Sequence, residues 1–274
     1  MLIEKIFNIK NKVVVVSGAS GFIGGEISCL LAEAGCTVAL LYNNNRPNDQ
    51  IIKRMIDSKS NHKIIKCDVT IKDEIKKSKN QIINEFGNID ALINCAGGNH
   101  PKATTSNDNS FFEIPAEAFE WVTKLNVMGT ILPCQVFGEV FAKNKKGNIL
   151  NISSMAAFRP LTKIPAYSSS KAAINSFTRW LSVHMAKEYS ENIRVNAIAP
   201  GFFLGNQNRF LLIDKETGDY TERGKLIIAN TPMNKFGEPE ELISTVIWLL
   251  SDHSNFVTGV LVPVDGGFDA FGGV

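Results

Sequence analysis

No two cysteines in this chain have the spacing of a redox or metal motif. Cys29, Cys36, Cys67, Cys95 and Cys134 are scattered, odd in number and without a CxxC. That reads as reduced thiols in a cytosolic protein rather than a disulfide framework. Histidine is also scarce. His62, His100, His184 and His253 share no ligand spacing, so no metal site is expected. Net charge is only +2 and no long basic run occurs, so neither nucleic acid nor an anionic membrane is an expected partner. The opening residues, MLIEKIFNIKNK, lack an apolar core of signal-peptide length. No apolar run approaches the ~18 residues that span a bilayer. The expectation is a soluble, cytoplasmic protein.

What is present is alternation. The chain has 274 residues, 44% of them hydrophobic, enough for one large α/β domain over 1–274. Apolar, often β-branched runs over 13–16, 37–42, 62–67, 89–93, 147–152, 193–198 and 259–264 read as strands. Between them lie helical patterns, including 71–86 closed by Gly87, 115–143, 166–189 and 238–250. The alternation predicts a single-domain, Rossmann-like, doubly wound parallel sheet of about seven strands with helices on both faces. A polar, aperiodic loop over 98–114 is long for a compact domain and is read as a substrate loop. The stretch 202–230 reads as a small lid-like insertion.

The first strand leads directly into Ser17-Gly18-Ala19-Ser20-Gly21-Phe22-Ile23-Gly24 and then a helix. Strand, glycine turn and helix make a phosphate-cradling unit, because the free N–H groups and dipole at the helix start favour an anion. After the second strand, where an acidic residue commonly holds ribose hydroxyls, stand Tyr42, Asn43, Asn44, Asn45 and Arg46. No carboxylate fills that slot, and Arg46 is either a 2′-phosphate ligand or a solvated loop cation. Asp68 is placed to reach an adenine amine or, with Thr70, to cap the following helix. Small residues follow two later strands, at Asn94-Cys95-Ala96-Gly97-Gly98 and Ala199-Pro200-Gly201. Strand ends of this kind are where an open α/β sheet places its ligand crevice.

The stretch from Asn151 to Lys171 carries the chemistry. A strand breaks into Ser153 and Ser154, crosses a proline-containing loop and enters a helix bearing Tyr167 and Lys171. Residues four apart share a helix face. A cation beside a phenol favours the phenolate, which suits proton transfer, and Ser154 is placed to hold a substrate oxygen. Asn126 interrupts a helical pattern in which asparagine is a poor interior residue.

In order and spacing, the Gly18-Gly21-Gly24 turn, Asp68, Asn94–Gly97, Asn126, Ser154, Tyr167 with Lys171, and Pro200-Gly201 resemble the short-chain dehydrogenase/reductase family over nearly the whole chain. The resemblance implies that Tyr167 is the proton donor and acceptor and that Ser154 positions the substrate oxygen. Lys171 would bind nicotinamide ribose and lower the tyrosine's pKa, and Asn126 would hold a water linking Lys171 to solvent. NAD or NADP is the implied cofactor. Its implied contacts are Ser17, Gly18, Ser20, Gly21, Phe22, Ile23, Gly24, Asn43, Arg46, Asp68, Val69, Asn94, Ala96, Gly97, Tyr167, Lys171, Pro200, Gly201 and Phe203. Two residues depart from the family pattern: Ser17 replaces a threonine, and Phe22 replaces a second glycine. Family members are usually tetramers, so a homotetramer or homodimer is expected, built on the 115–143 and 166–189 helices and the last strand.

Within the family, 96–105, Pro200–Leu204 with Gln207-Asn208-Arg209, and 263–268 look like the D-mannonate oxidoreductase (fructuronate reductase) branch, although Gly205 departs from it. The implied reaction is reversible NAD(P)-linked reduction of a keto-hexuronate. A sugar acid needs a cation for its carboxylate and polar groups for its hydroxyls. Asn99, His100, Lys102, Ser154, Arg159, Tyr167, Gln207, Asn208 and Arg209 are the candidates, with Lys102 and Arg209 first for the carboxylate. The alternatives are a gluconate 5-dehydrogenase-like enzyme, a 3-oxoacyl reductase and, remotely, a non-catalytic dinucleotide sensor.

Overall fold

The computed structural model describes residues 2–205 and 209–273. The chain enters through α1 (Leu2–Ile6) and then β1 (Val13–Ser17), α2 (Phe22–Glu33), β2 (Thr37–Tyr42), α3 (Asp49–Asp57), β3 (His62–Lys66), α4 (Lys72–Phe86) and β4 (Ala91–Asn94). After α5 (Ala116–Thr123) and α6 (Gly129–Asn144) come β5 (Gly147–Ile152), α7 (Pro165–Glu188) and β6 (Ile193–Pro200). The chain closes with α8 (Arg209–Leu212), α9 (Glu222–Ala229), α10 (Ile243–Leu250) and β7 (Leu261–Val264). All seven strands are parallel, in the order β3-β2-β1-β4-β5-β6-β7. The order reverses between β1 and β4, the switch point at which such sheets open a ligand crevice.

Alternating side chains explain why both faces need helices. Val14, Val16, Leu40 and Ile93 pack on one face with Ile27, Leu31, Val246 and Leu249. Val13, Val15, Leu41, Leu92 and Ile149 pack on the other with Ile75, Ile82, Phe137 and Phe141. A period of two with apolar residues on both sides is the signature of a buried parallel sheet. The register then lines up the strand ends. Ser17 pairs with Asn94 and Asn94 with Asn151, so β1, β4 and β5 release their chains near one level of the crevice, while β6 runs on to Pro200.

Three elements differ from the sequence expectation. The helix α3 has no counterpart there; its local signal is Asn48, whose side chain accepts the Ile51 N–H at 2.9 Å as an N-cap. The 98–114 segment is ordered around two short 3₁₀ turns, Pro101–Ala103 and Phe111–Glu113. The helix predicted over 115–143 is continuous from Ala116 to Asn144 but contains a π turn at Lys124–Met128. By length and composition that helix could cross a membrane, which no apolar run in the sequence had suggested; half of its most apolar window is buried inside the fold. The α6 part packs against α4, β4 and β5, so this apolar stripe faces the protein's own core.

Candidate active site

Four segments meet at the strand ends. From β1 the chain turns at Gly18, whose φ of +63° suits a residue without a Cβ. The helix α2 begins at Phe22 with Gly21 as an N-cap that supplies no side-chain bond, and its first turn holds no acidic residue. Its leading N–H groups are therefore available to an anion. Ser17 lies behind the turn, where its Oγ accepts the Ala96 N–H at 3.2 Å and ties β1 to the segment after β4.

Phe22, which departs from the family pattern, and Gly205, which departs from the branch, fit one another. A Cβ on Gly205 would stand 2.6 Å from the Phe22 ring. The phenylalanine at the start of α2 thus occupies the space a side chain at 205 would need. The bulk added to the cofactor loop is compensated across the crevice, 183 positions along the chain.

On the other side of the crevice, Tyr167 and Lys171 lie one turn apart on α7. The Lys171 ammonium sits 5.6 Å from the centre of the Tyr167 ring and donates to the Ile152 carbonyl at 2.7 Å. Ser154 lies two residues past the end of β5 and caps a 3₁₀ turn, its Oγ accepting the Ala156 N–H at 3.2 Å. The Ser154 hydroxyl also hydrogen-bonds with the Tyr167 phenol. Burial pushes that phenol above its ordinary value, and the bond from Ser154 works against the rise. Burial drives Lys171 the other way, down to about 8, with the Cys95 thiol opposing. Lys171 was expected to lower the tyrosine's pKa. In this geometry desolvation governs the phenol, and Ser154 is what moderates it.

The π turn explains Asn126. Widening the helix there lets the amide turn aside from the apolar face, and such turns recur at functional sites. Its Oδ1 accepts the Gly98 N–H at 3.2 Å, and its Nδ2 donates to the Gly98 and Val122 carbonyls at 2.7 and 2.8 Å. It clasps the main chain after β4 where a water link was expected. Lys171 is close by nonetheless: a Cβ on Gly97 would lie 2.7 Å from Asn126 Oδ1 and 3.4 Å from Lys171 Nζ. Only a bare Gly97 leaves that gap open.

Several expected cofactor contacts are already engaged. Asn94 turns inward, donating to Asn151 Oδ1 at 2.8 Å and Cys134 Sγ at 3.2 Å, so only its main chain faces the site. Asp68 accepts the Thr70 N–H and hydroxyl, each at 2.8 Å, and the Asn43 amide at 3.1 Å. It shapes the turn before α4 and joins the ends of β2 and β3. Arg46 is exposed and makes no bond among the described residues. Val69 and Phe203 are buried. Gly201 N–H, just past β6, donates to Val264 at 2.9 Å. Ser20, Gly21, Phe22 and Ile23 are half-buried along the crevice, and Gly24 is buried beneath them.

The candidate substrate groups divide in the same way. His100 accepts the Lys102 N–H at 3.1 Å through Nδ1 and packs edge-on against Trp121 at 5.3 Å. Asn99 donates to Thr104 Oγ1 at 2.9 Å. These contacts build the loop, and Thr105 fastens it to Lys163 at 2.9 Å. Ala103 from this loop packs with Ala166 and Tyr167, which brings the loop to the phenol. Arg159 is paired with Asp269, its Nε 3.0 Å from Oδ1, and its Nη2 bonds the Asp269 carbonyl. No local signal reveals that pair, since 110 positions separate its members. Lys102 and Arg209 are exposed, and their side chains make no bond among the described residues. Gln207 and Asn208 lie outside the described residues.

With this geometry in place, comparison with known proteins decides the family. Residues 18–269 match the family model described as enoyl-(acyl carrier protein) reductase. An uncharacterized oxidoreductase of Haemophilus influenzae is 45% identical, over 97% of this chain and 96% of its own length. This chain is a short-chain dehydrogenase/reductase. As such it is an oxidoreductase, and other members lie at similar distance. The uncharacterized oxidoreductase UxuB of Bacillus subtilis is 42% identical over 97% of this chain and 98% of its own. A solved Haemophilus influenzae structure named as a candidate D-mannonate oxidoreductase, with bound NAD, superposes with a TM-score of 0.91 at 44% identity, covering 99% of this chain and 100% of that one. The seven-stranded parallel sheet is that of the family.

Proposed function

We propose that this oxidoreductase uses NAD or NADP to interconvert a secondary alcohol and a ketone on a sugar acid, with D-mannonate and D-fructuronate as the first pair to test. The observation that carries the chemistry is the convergence of Ser154, Tyr167 and Lys171 at the strand ends beside an uncapped helix start. A bound nicotinamide supplies or accepts the hydride. The uncapped N–H groups of α2 would hold its pyrophosphate, and Lys171 its ribose. Ser154 holds the substrate oxygen against Tyr167. A phenol whose pKa is raised by burial stays protonated near neutrality, so it is poised to give its proton to a ketone oxygen. In the oxidative direction the same oxygen must take the alcohol proton, and Ser154, which opposes the burial-driven rise, favours that state.

A carboxylated substrate is supported by Lys102 and Arg209, two exposed cations whose side chains make no bond among the described residues. The Haemophilus influenzae structure named for D-mannonate points to the same substrate class. The same polar loop disfavours an acyl chain. A panel of hexonates and keto-hexuronates with NAD and NADP in parallel, read by reduced-nicotinamide absorbance, tests the proposal. Lys102→Ala or Arg209→Ala is expected to raise KM for the acid at least tenfold, as loss of a charge-assisted bond would. Cofactor KM should stay within twofold. Unchanged kinetics in both variants would remove the sugar acid from consideration.

We also infer that copies of the chain associate through α6 and α7. Trp180 is 59% exposed, stacked between Phe177 and His184, with Tyr189 edge-on to His184. This aromatic ladder borders a groove of about 530 Å³ between the two helices. A contiguous exposed aromatic patch of this kind marks an interface. Trp180→Glu should yield a smaller species by sedimentation velocity; an unchanged sedimentation coefficient would place the interface elsewhere.

A further inference from the structure

Past β7 the chain is folded into a turn by one side chain. Asp265 Oδ1 accepts the Gly267 N–H at 2.9 Å, and its Oδ2 accepts the Asp269 N–H at 2.7 Å. The turn is also seated on the segments that follow β6. Phe268 meets Phe202 edge-on at 5.1 Å, and the Gly266 carbonyl accepts the Met233 N–H at 3.1 Å. Its shape therefore does not depend on what it grips next.

What it grips is the loop that carries Ser154. Arg159 Nε donates to the Asp269 carbonyl and to its Oδ1, each at 3.0 Å, and Nη2 bonds the same carbonyl. The main chain of Arg159 is tied back toward Ser154. The Met155 carbonyl accepts the Phe158 and Arg159 N–H groups, each at 3.0 Å, and the Ser154 carbonyl accepts that of Ala157 at 3.0 Å. With Ser154 Oγ on the Ala156 N–H, residues 154–159 form one hydrogen-bonded unit. Beyond it the loop runs to α7 through Lys163, whose carbonyl accepts the Thr105 N–H at 2.9 Å. Among the described residues, Asp269 and Thr105 are the hydrogen-bonded attachments of 158–164 to distant parts of the chain. The side chains of Arg159 and Asp269 are 49% and 31% exposed, and an ion pair this open adds little to stability by itself. Its effect is one of placement.

We propose that Arg159 and Asp269 are positioning residues for Ser154. The turn after β7 holds the guanidinium, and the bonded unit 154–159 carries that constraint to the Ser154 hydroxyl beside Tyr167. This inference rests on the role given above to Ser154, which holds the substrate oxygen against the phenol. It also removes Arg159 from direct binding of a substrate carboxylate, because Nε and Nη2, one edge of its donor fork, are occupied by Asp269.

Tyrosine labelled with carbon-13 at Cζ gives a readout that needs no substrate, so it is independent of whether a sugar acid is turned over. The chain has four tyrosines, and the Tyr167 resonance is the one missing from the Tyr167→Phe spectrum. Ser154→Ala defines the displacement that follows loss of the Ser154 hydroxyl. Near neutral pH, Arg159→Ala is expected to move the Tyr167 resonance in the same direction. Asp269→Ala, which keeps the main-chain acceptor, should move it less. Arg159→Lys keeps the charge and one donor and should return the resonance most of the way. The double substitution Arg159→Ala with Asp269→Ala should go no further than Arg159→Ala alone, because both act through one contact. With a hexonate or keto-hexuronate that the enzyme turns over, Arg159→Ala should lower kcat about tenfold, as a small misplacement of a positioned group does, and leave KM within about threefold. A Tyr167 resonance unmoved by Arg159→Ala would overturn the proposal and leave the pair a surface tether. So would a tenfold rise in KM at unchanged kcat, which would make Arg159 a ligand of the substrate carboxylate.

Discussion

Tyr167→Phe is expected to lower kcat by a factor of about 10²–10⁴, the range attributed to a positioned general acid or base. The substitution removes one oxygen and leaves the ring, which packs with Ala103, Val122 and Ala166. Fold and crevice should be preserved, and reduced-nicotinamide fluorescence should report a cofactor Kd within about twofold of wild type. The two readouts separate the proposed enzyme from a dinucleotide sensor on the same fold. A sensor would bind equally well with and without the phenol and would have no turnover to lose. Loss of cofactor binding together with turnover would instead mean that the phenol is structural. The position of Ser154 sharpens the expectation. It is the hydrogen-bonding partner that opposes the burial-driven rise of the phenol, so Ser154→Ala should shift the acid limb of the rate profile upward as well as lower the rate.

Much of this site was legible because the family's chemistry is written into consecutive residues. The four-residue spacing of Tyr167 and Lys171 on α7, and the release of Ser154 at the end of β5, follow from local periodicity. The sheet was legible for a similar reason, since runs such as Val13–Ser17 and Thr37–Tyr42 are apolar on both faces and admit only a covered parallel sheet. What escaped were matters of long-range partnership. Nothing near Arg159 announces Asp269, nothing near Phe22 announces Gly205, and nothing in α5 shows that Asn126 will widen the helix to grip Gly98. Each is a contact between segments far apart in the chain, and a substitution at one end is interpretable only with the other in view. Asn94 shows the same limit. Its place after β4 marks the crevice correctly, but its side chain is drawn inward by Asn151, a neighbour in the sheet 57 positions later.

Lys171 provides the second large effect, with stability and activity expected to move in opposite directions as pH rises. Lys171 is 4% exposed, and among the described residues no carboxylate pairs with it and its one hydrogen bond is to the Ile152 carbonyl. Burial lowers its pKa from the ordinary 10.5 to about 8. Below pH 8 the amine is charged in both folded and unfolded chains, so the full cost of burying the charge is present. Between about 8 and 10.5 the folded chain sheds the proton while the unfolded chain keeps it, so that cost falls away. At about 1.4 kcal/mol per unit, the shift is worth on the order of 3 kcal/mol. Lys171→Met lacks this titration. Denaturant melts of both proteins at pH 7.5 and pH 10 should therefore show the wild type gaining about 2 kcal/mol relative to the variant. Comparing the two pH values cancels the constant loss of the bond to Ile152. The wild-type turnover in the direction that needs a charged Lys171 should fall over the same interval, and the variant should be at least about 10²-fold slower throughout. A stability difference that does not change with pH would mean that water reaches this amine and that its charge is not held in a dry site.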